Sequence, residues 1–342
     1  MGDEKTEVNI LVTGGSGFLG RALTHRLADS GYKVGAVSRS PSDMVHPNIE
    51  NIQADITKPD TLPENLNGCD VVFHTAAKAG IWGNYNSYYR TNVDGTRNII
   101  DLCHRYGIPK LILTGSPSAV YQPGDNEGIN ERSPYPAKYL CAYSKSKAIA
   151  ERLVLEADNN GISTLSLRPH LIWGPGDQHL IRRILHRRKQ GKLRRIGPYN
   201  KKIDTIFIEN AVDAHIIAYH RLSESSEISG KSYFVSDDSP IPLWDMIDRI
   251  CESGGLPPVE QHMSLPTARI TAIVSEWIYK LLNLDGEPLL TRFLVNELIT
   301  AHWFDTSAAK QELGYKPSVS IDEGFEKLQK WLREEGLKKY GI

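Results

Sequence analysis

The chain alternates between short apolar runs and stretches whose hydrophobic residues recur every three or four positions. The first run, VNILVT over Val8–Thr13, enters glycines spaced at positions 14, 17 and 20. Phe18, Leu19, Ala22, Leu23 and Leu27 then repeat at helical spacing up to Gly31. An aliphatic run without polar alternation predicts a strand buried on both faces, and the repeat after it predicts a helix that covers one of them. Further strands are predicted at Lys33–Val37, Ile49–Ala54, Cys69–Thr75, Lys110–Thr114 and Ser163–Leu167, with helices over Tyr88–Tyr106 and Tyr139–Ala157. Six strands interleaved with helices predict an α/β fold built on a doubly wound parallel sheet.

Beyond about residue 175 the pattern is mixed, which predicts a smaller C-terminal substrate-binding region over 176–342 beside a dinucleotide-binding domain over 1–175. Segments near 203–220 (a short strand and an apolar helix) and 231–237 (a strand at Tyr233–Ser236) are expected to return to the first domain. Ile181–Gly197 contains RRILHRRKQGKLRR, a basic helix that is either a solvated face or a lid carrying charge toward an anionic ligand. Ala268–Leu284 is apolar on one side and carries Arg269, Glu276 and Lys280. It is expected to be a packed helix, with a membrane-surface helix as the alternative. Asp305-Thr306 is expected to cap a helix ending at Gly314.

The glycine turn brings in the first chemistry. Gly14, Ser16, Gly17, Phe18, Leu19 and Gly20 sit where a strand meets a helix, and glycine there lets the backbone approach a pyrophosphate held on the helix amides. This is the Rossmann arrangement. At the end of the second strand an NAD-specific site would place an acid on the ribose hydroxyls. The chain has Ser38-Arg39-Ser40 instead, and the first acid is Asp43. A guanidinium suits a ribose phosphate, so Arg39 favours NADP(H), with NAD(H) as the alternative. Asp55, followed by Ile56, is placed to meet the adenine or else to cap a turn. Ala76 and Ala77, in HTAA, leave room for ribose and diphosphate. Asn92, expected in the first turn of a helix, and Pro169, after the sixth strand, complete the cofactor set.

Tyr143 and Lys147 are four apart and therefore share a helix face. A lysine charge lowers the phenol pKa and holds the nicotinamide ribose, so the phenol can exchange a proton with a carbonyl or carbinol oxygen. Ser116, after the fifth strand, would orient that oxygen. Such a set serves hydride transfer to or from a nicotinamide.

Bulk properties narrow the picture. The 342 residues are 40% hydrophobic with a formal net charge of −1, which gives no reason to expect nucleic acid as a partner. MGDEKTEV lacks the apolar core of a secretory signal, and no apolar run is long enough to span a membrane. Cys69, Cys103, Cys141 and Cys251 have no metal-ligand spacing and read as reduced thiols, so no metal is expected and the cytoplasm is the expected location.

TGGSGFLG, HTAA, TNVDGT, TGSPS, YSKSK, LRPHLIWGPGD and WFDTSAAKQELGYKP together resemble the extended short-chain dehydrogenases/reductases over nearly the whole chain. Within them the chain resembles the 3β-hydroxysteroid dehydrogenase branch, notably sterol-4α-carboxylate 3-dehydrogenases. AAKAGIWGNYNSY, AIAERLVL and RPHLIWGPGDQHL are similar to bacterial 2-alkyl-3-oxoalkanoate reductases. The resemblance implies Tyr143 as acid/base, Lys147 as its partner and Ser116 as the orienting hydroxyl, and it implies a homodimer. Gly115 departs from the hydroxyl residue common there, which leaves Ser118 as the alternative serine. Both relatives handle a carboxylate two carbons from the reacting centre. Lys78 and His170 are the residues expected to receive it, with Trp82 and Tyr85 shaping the pocket. The expected reaction interconverts an apolar 3-oxo acid and its 3-hydroxy acid. The alternatives are oxidation of a sterol 3β-hydroxyl and nucleotide-sugar epimerase or dehydratase chemistry.

Overall fold

A computed structural model describes residues 8–158, 160–284 and 286–342. The amino-terminal stretch on which the absence of a leader was read lies outside these residues, apart from Val8. Seven parallel strands form the main sheet: β1 (Ile10–Thr13), β2 (Val34–Ser38), β3 (Ile49–Gln53), β4 (Val71–His74), β5 (Lys110–Thr114), β6 (Ser163–Pro169) and β7 (Lys231–Val235). Their order across the sheet is β7-β6-β5-β4-β1-β2-β3. The order reverses at β1, and ligands of such sheets bind in the crevice outside the strand ends at that point.

Alternation within β1 divides the core. Ile10 and Val12 face one hydrophobic cluster together with α1 (Phe18–Asp29), while Leu11 faces a second with Ile99 and Leu102 of α2 (Gly95–Tyr106) and Val154 of α3 (Ala142–Glu156). The first cluster also takes the buried face of α5 (Ile208–Glu224), which follows α4 (Leu180–Lys189) in the chain. Both faces of the central strands are thus covered, which is why β1, β4 and β5 read as apolar runs.

Several elements differ from expectation in extent. The segment before α2 is not one regular helix: a π-helical turn over Tyr89–Asp94 precedes it and carries Asn92. The basic helix ends at Lys189, because His186, Arg187, Arg188 and Lys189 suit its C-terminal dipole and Gly191 (φ +65°) then breaks it. Residues beyond it form a short strand at Arg195–Ile196. Of the segments expected to return, 231–237 does so as β7. The strand at Ile206–Phe207 instead pairs with Ile172–Trp173, and only its following helix α5 packs on the main sheet. Asp305 does bond the Ser307 amide (2.9 Å), and the turn ends at Gly314 with a π-helical stretch at Ala309–Leu313.

The last difference concerns α6 (Leu265–Leu281), which packs on α7 (Arg292–Ile299) through Ala268 and Ala272, with Val295 and Ile196 opposite. Its large apolar residues face outward, contrary to the packed helix expected. Small residues form the buried stripe, and periodicity alone does not say which stripe meets the core.

Candidate functional site

The chain turns out of β1 at Gly14 (φ +71°), a conformation that favours glycine. A Cβ at Gly14 would lie 2.9 Å from the Ala76 backbone, and one at Gly20 would collide with the Gly14 carbonyl. Gly17 opens α1 without a side-chain cap, so the amides of the first turn are left for a ligand. Gly14, Gly17, Phe18, Leu19 and Gly20 line a cavity of about 880 Å³ that runs on past β4 and β5 to α4 and α7. This backbone cradle and uncapped helix start fit the diphosphate of a dinucleotide.

At the other side of the crevice β5 ends in Gly115 and Ser116. The Ser116 and Ser118 hydroxyls are 2.9 Å apart, and both residues line the cavity. Facing them, α3 presents Tyr143 and Lys147 one turn apart. The Lys147 ammonium donates to the Thr114 carbonyl at 2.5 Å. Burial lowers the Lys147 pKa to about 8, with the nearby Glu151 carboxylate opposing. Burial raises the Tyr143 phenol, and the neighbouring Ser116 hydroxyl works the other way. His74 behind the lysine bonds Thr13 (2.7 Å) and Thr96 (3.0 Å), and burial pulls its pKa to about 3, so it stays neutral there.

The other expected residues divide. Ala77, Pro169 and His170 line the cavity. His170 is buried against Tyr121 (3.2 Å) and His302 (3.0 Å), and burial drives its pKa well below the ordinary range. It is therefore neutral and offers a substrate carboxylate no charge. Lys78 lies off the cavity wall, its ammonium bonded to Ser87 (2.9 Å) and set over the Tyr88 ring. Trp82 packs edge-on against Tyr279, and Tyr85 lies under Lys145. Neither is among the cavity-lining residues. Asn92 does not line it either: its side chain bonds the Lys78 amide (2.6 Å) and Ser146 (2.9 Å), which ties the 78–92 loop to α3. Ser16 and Arg39 are exposed and are not among the cavity-lining residues. Asp55 caps its turn by accepting from the Thr57 amide at 2.9 Å, and Ile56 is buried against Gly95.

The sequence profile of the 3-beta hydroxysteroid dehydrogenase/isomerase family matches residues 11–267. The chain belongs to this family. As a member it is an NAD(P)-dependent oxidoreductase. It is 41% identical over 327 residues to the 2-alkyl-3-oxoalkanoate reductase of Shewanella oneidensis, covering 93% of this chain and 84% of that one. It is 31% identical over 321 residues to the decarboxylating sterol-4-alpha-carboxylate 3-dehydrogenase of Mus musculus, covering 92% and 88%. The crystal structure of gox2253 superposes with a TM-score of 0.77 at 25% identity, covering 96% and 99%.

Two features of this 3-beta hydroxysteroid dehydrogenase/isomerase family member went unread in the sequence. Glu151 continues the Tyr143–Lys147 face by four more positions and is fully buried, held by Arg168 (2.6 Å), Ser166 (2.8 Å) and Tyr135 (2.7 Å). The spacing was visible, but a lone acid on a helix usually faces water. Tyr121 and Glu297 also line the cavity, from a loop and from α7 far along the chain, and no local pattern links them to it. Burial raises the Glu297 carboxyl pKa, and one of its oxygens has no partner.

Proposed function

We propose that this chain is an NADP-linked reductase that interconverts a 3-oxo acid bearing long apolar arms and its 3-hydroxy acid. The observation that carries this reading is the meeting of Ser116, Ser118, Tyr143 and Lys147 with the uncapped glycine turn in one cavity. Phe18, Ile81, Leu171, Ile172 and Phe293 give that cavity an apolar lining. The substrate class is drawn from the relative named a 2-alkyl-3-oxoalkanoate reductase, which stands ten percentage points above the sterol dehydrogenase in identity.

The nicotinamide, when bound, supplies the hydride chemistry. The serine pair orients the substrate carbonyl oxygen by hydrogen bonding. The Tyr143 phenol gives its proton to that oxygen, and the Lys147 charge eases the loss. The apolar wall keeps water from the reacting centre. With His170 neutral and Lys78 turned away, the substrate carboxylate is received by the Tyr121 hydroxyl on the cavity wall, with His170 behind it. Exposed Arg39 supports NADP over NAD, because no acid separates it from Asp43 in the sequence and Asp43 is itself paired with Arg21 (2.7 Å). Free cysteines support a reducing, cytoplasmic setting, and assembly as a homodimer belongs to the same reading.

The test is hydride transfer from NADPH and NADH to a 2-alkyl-3-oxo acid. Turnover with NADPH is expected, lost by about 10²–10⁴-fold in Tyr143→Phe and shifted toward NADH in Arg39→Asp. The second reading, oxidation of a 4-carboxysterol, has in its favour the sterol dehydrogenase's 31% identity across 92% of this chain. Turnover of that sterol with the oxo acid inert would select it. A nucleotide-sugar reading is disfavoured because the 41% and 31% identical relatives are named for oxo-acid and sterol substrates.

A further inference from the structure

Three buried rings beside the cavity, Tyr121, His170 and His302, are joined in a row by hydrogen bonds. The Tyr121 hydroxyl lies 3.2 Å from the nearer His170 nitrogen, Nδ1. His170 Nε2 lies 3.0 Å from His302 Nδ1, and His302 Nε2 lies 3.0 Å from the Glu297 carbonyl. Tyr121 and His170 line the cavity, and His302 stands behind them on the short strand His302–Phe304. Packing holds the rings in place. Tyr121 stacks on His302 (5.9 Å between centroids) and on Phe304 (6.2 Å), and His170 meets both edge-on (5.0 and 5.3 Å).

The partners decide where the hydrogens sit. A carbonyl only accepts, so His302 Nε2 carries a hydrogen and points it at Glu297. With no further proton in the row, His302 Nδ1 is a bare acceptor and His170 Nε2 donates to it. His170 then has a bare Nδ1, and the Tyr121 O–H is spent on it. In this state Tyr121 offers the cavity a lone pair and no hydrogen, which suits a carboxylate badly. One added proton reverses every bond. A protonated His302 Nδ1 donates to His170 Nε2, His170 Nδ1 donates to the Tyr121 oxygen, and the Tyr121 O–H is released to the cavity. The positive charge then rests at His302, whose Nε2 is 3.7 Å from a Glu297 carboxylate oxygen. The other titratable groups facing the row are Tyr143, Cys141, Asp204 and Asp125. Asp204 accepts from the Phe304 amide (2.8 Å) and Asp125 is paired with Lys201 (2.6 Å).

We propose that the Tyr121–His170–His302 row recognises the acid group of the substrate by taking it up together with one proton. The carboxylic acid gives its proton to the Tyr121 oxygen, and Tyr121 gives its own to His170 Nδ1. His170 in turn passes its Nε2 proton to His302 Nδ1. A carboxylate held by the Tyr121 hydroxyl and an imidazolium at His302 result, with one proton gained from water overall. This inference rests on the 3-oxo acid reading above and states how that site selects an acid.

The full chain loaded with NADPH is titrated in a calorimeter with a 2-alkyl-3-hydroxy acid, a pair that cannot exchange hydride because both are reduced. Buffers of different ionisation heat report the protons taken up. At about pH 8, about one more proton is expected for the acid than for the secondary alcohol lacking the carboxyl group. The acid's affinity should fall about tenfold per pH unit on the alkaline side, relative to the alcohol's. His302→Gln keeps a donor for the Glu297 carbonyl and an acceptor for His170 but holds no extra proton. It should abolish the additional uptake and weaken the acid by at least roughly tenfold, with the alcohol bound as before. Tyr121→Phe, which leaves both histidines in place, should do the same, and alcohol binding shows in each case that the cavity is formed. Acid binding without additional uptake overturns the inference and leaves the 3-oxo acid reading standing. A His302→Gln variant that still takes up the proton has the same meaning. An acid that binds at no pH overturns the 3-oxo acid reading, and the inference with it.

Discussion

Lys147 carries its charge in a place that does not favour charge. Below about pH 8 the folded chain holds it protonated although burial opposes this, and the unfolded side chain keeps its proton to about 10.5. Between those values the unfolded state binds the extra proton, so this group makes stability rise with pH there. The cost at neutral pH is about 3 kcal/mol from the shift alone. Lys147→Met should therefore abolish turnover while leaving the protein as stable at pH 7 or more so, by about 1–3 kcal/mol. Denaturant melts at pH 7 and pH 10 would show the gain shrinking at the higher pH. Tyr143 and Lys147 were legible because one spacing on one helix encodes their meeting. Lys78 and His170 were less legible, because loop position says neither where an ammonium turns nor whether an imidazole is protonated. Burial decided His170, and burial comes from Tyr121 and His302, distant in sequence.

The element beneath the serines is tightly built. A Cβ at Gly115 would lie 2.6 Å from Ser166 Oγ and 2.9 Å from a Glu151 carboxylate oxygen, so the glycine that departs from the family's hydroxyl leaves room for the buried ion pair. Gly115→Ser should overpack this junction and destabilise by about 1–3 kcal/mol in thermal melts. Burial works against the Glu151 carboxylate and Arg168 outweighs it, holding its pKa below the usual value. Arg168→Met should cost about 3–5 kcal/mol by stranding that carboxylate, measured as a lowered denaturation midpoint. The strands β1, β4 and β5 were readable because both their faces are covered by apolar packing. The orientation of α6 was not, since its buried stripe of Ala268, Ala272 and Glu276 is less hydrophobic than the side it leaves in water. Hydrophobic periodicity finds a stripe and assumes that the richer one faces inward.

Across the whole molecule the sheet is completed out of order. β7 pairs with β6 through five registered residues, Lys231–Val235 against Leu165–Pro169, after an excursion that builds α4, α5 and the short strand pair of Ile172–Trp173 with Ile206–Phe207. A boundary near residue 175, drawn from the change in pattern, thus cuts the sheet between its last two strands. A fragment ending there should be expressed mainly as aggregate, because it leaves the long edge of β6 unpaired. A fragment extended through β7 and α5 should recover solubility in sedimentation assays. During synthesis the same geometry imposes a waiting time. β6 leaves the ribosome about sixty residues before its neighbour, several seconds at ordinary elongation rates. For that interval the nascent chain displays an unpaired backbone edge that any β-prone segment could join, and a cell producing this protein quickly must shield it until the missing strand arrives.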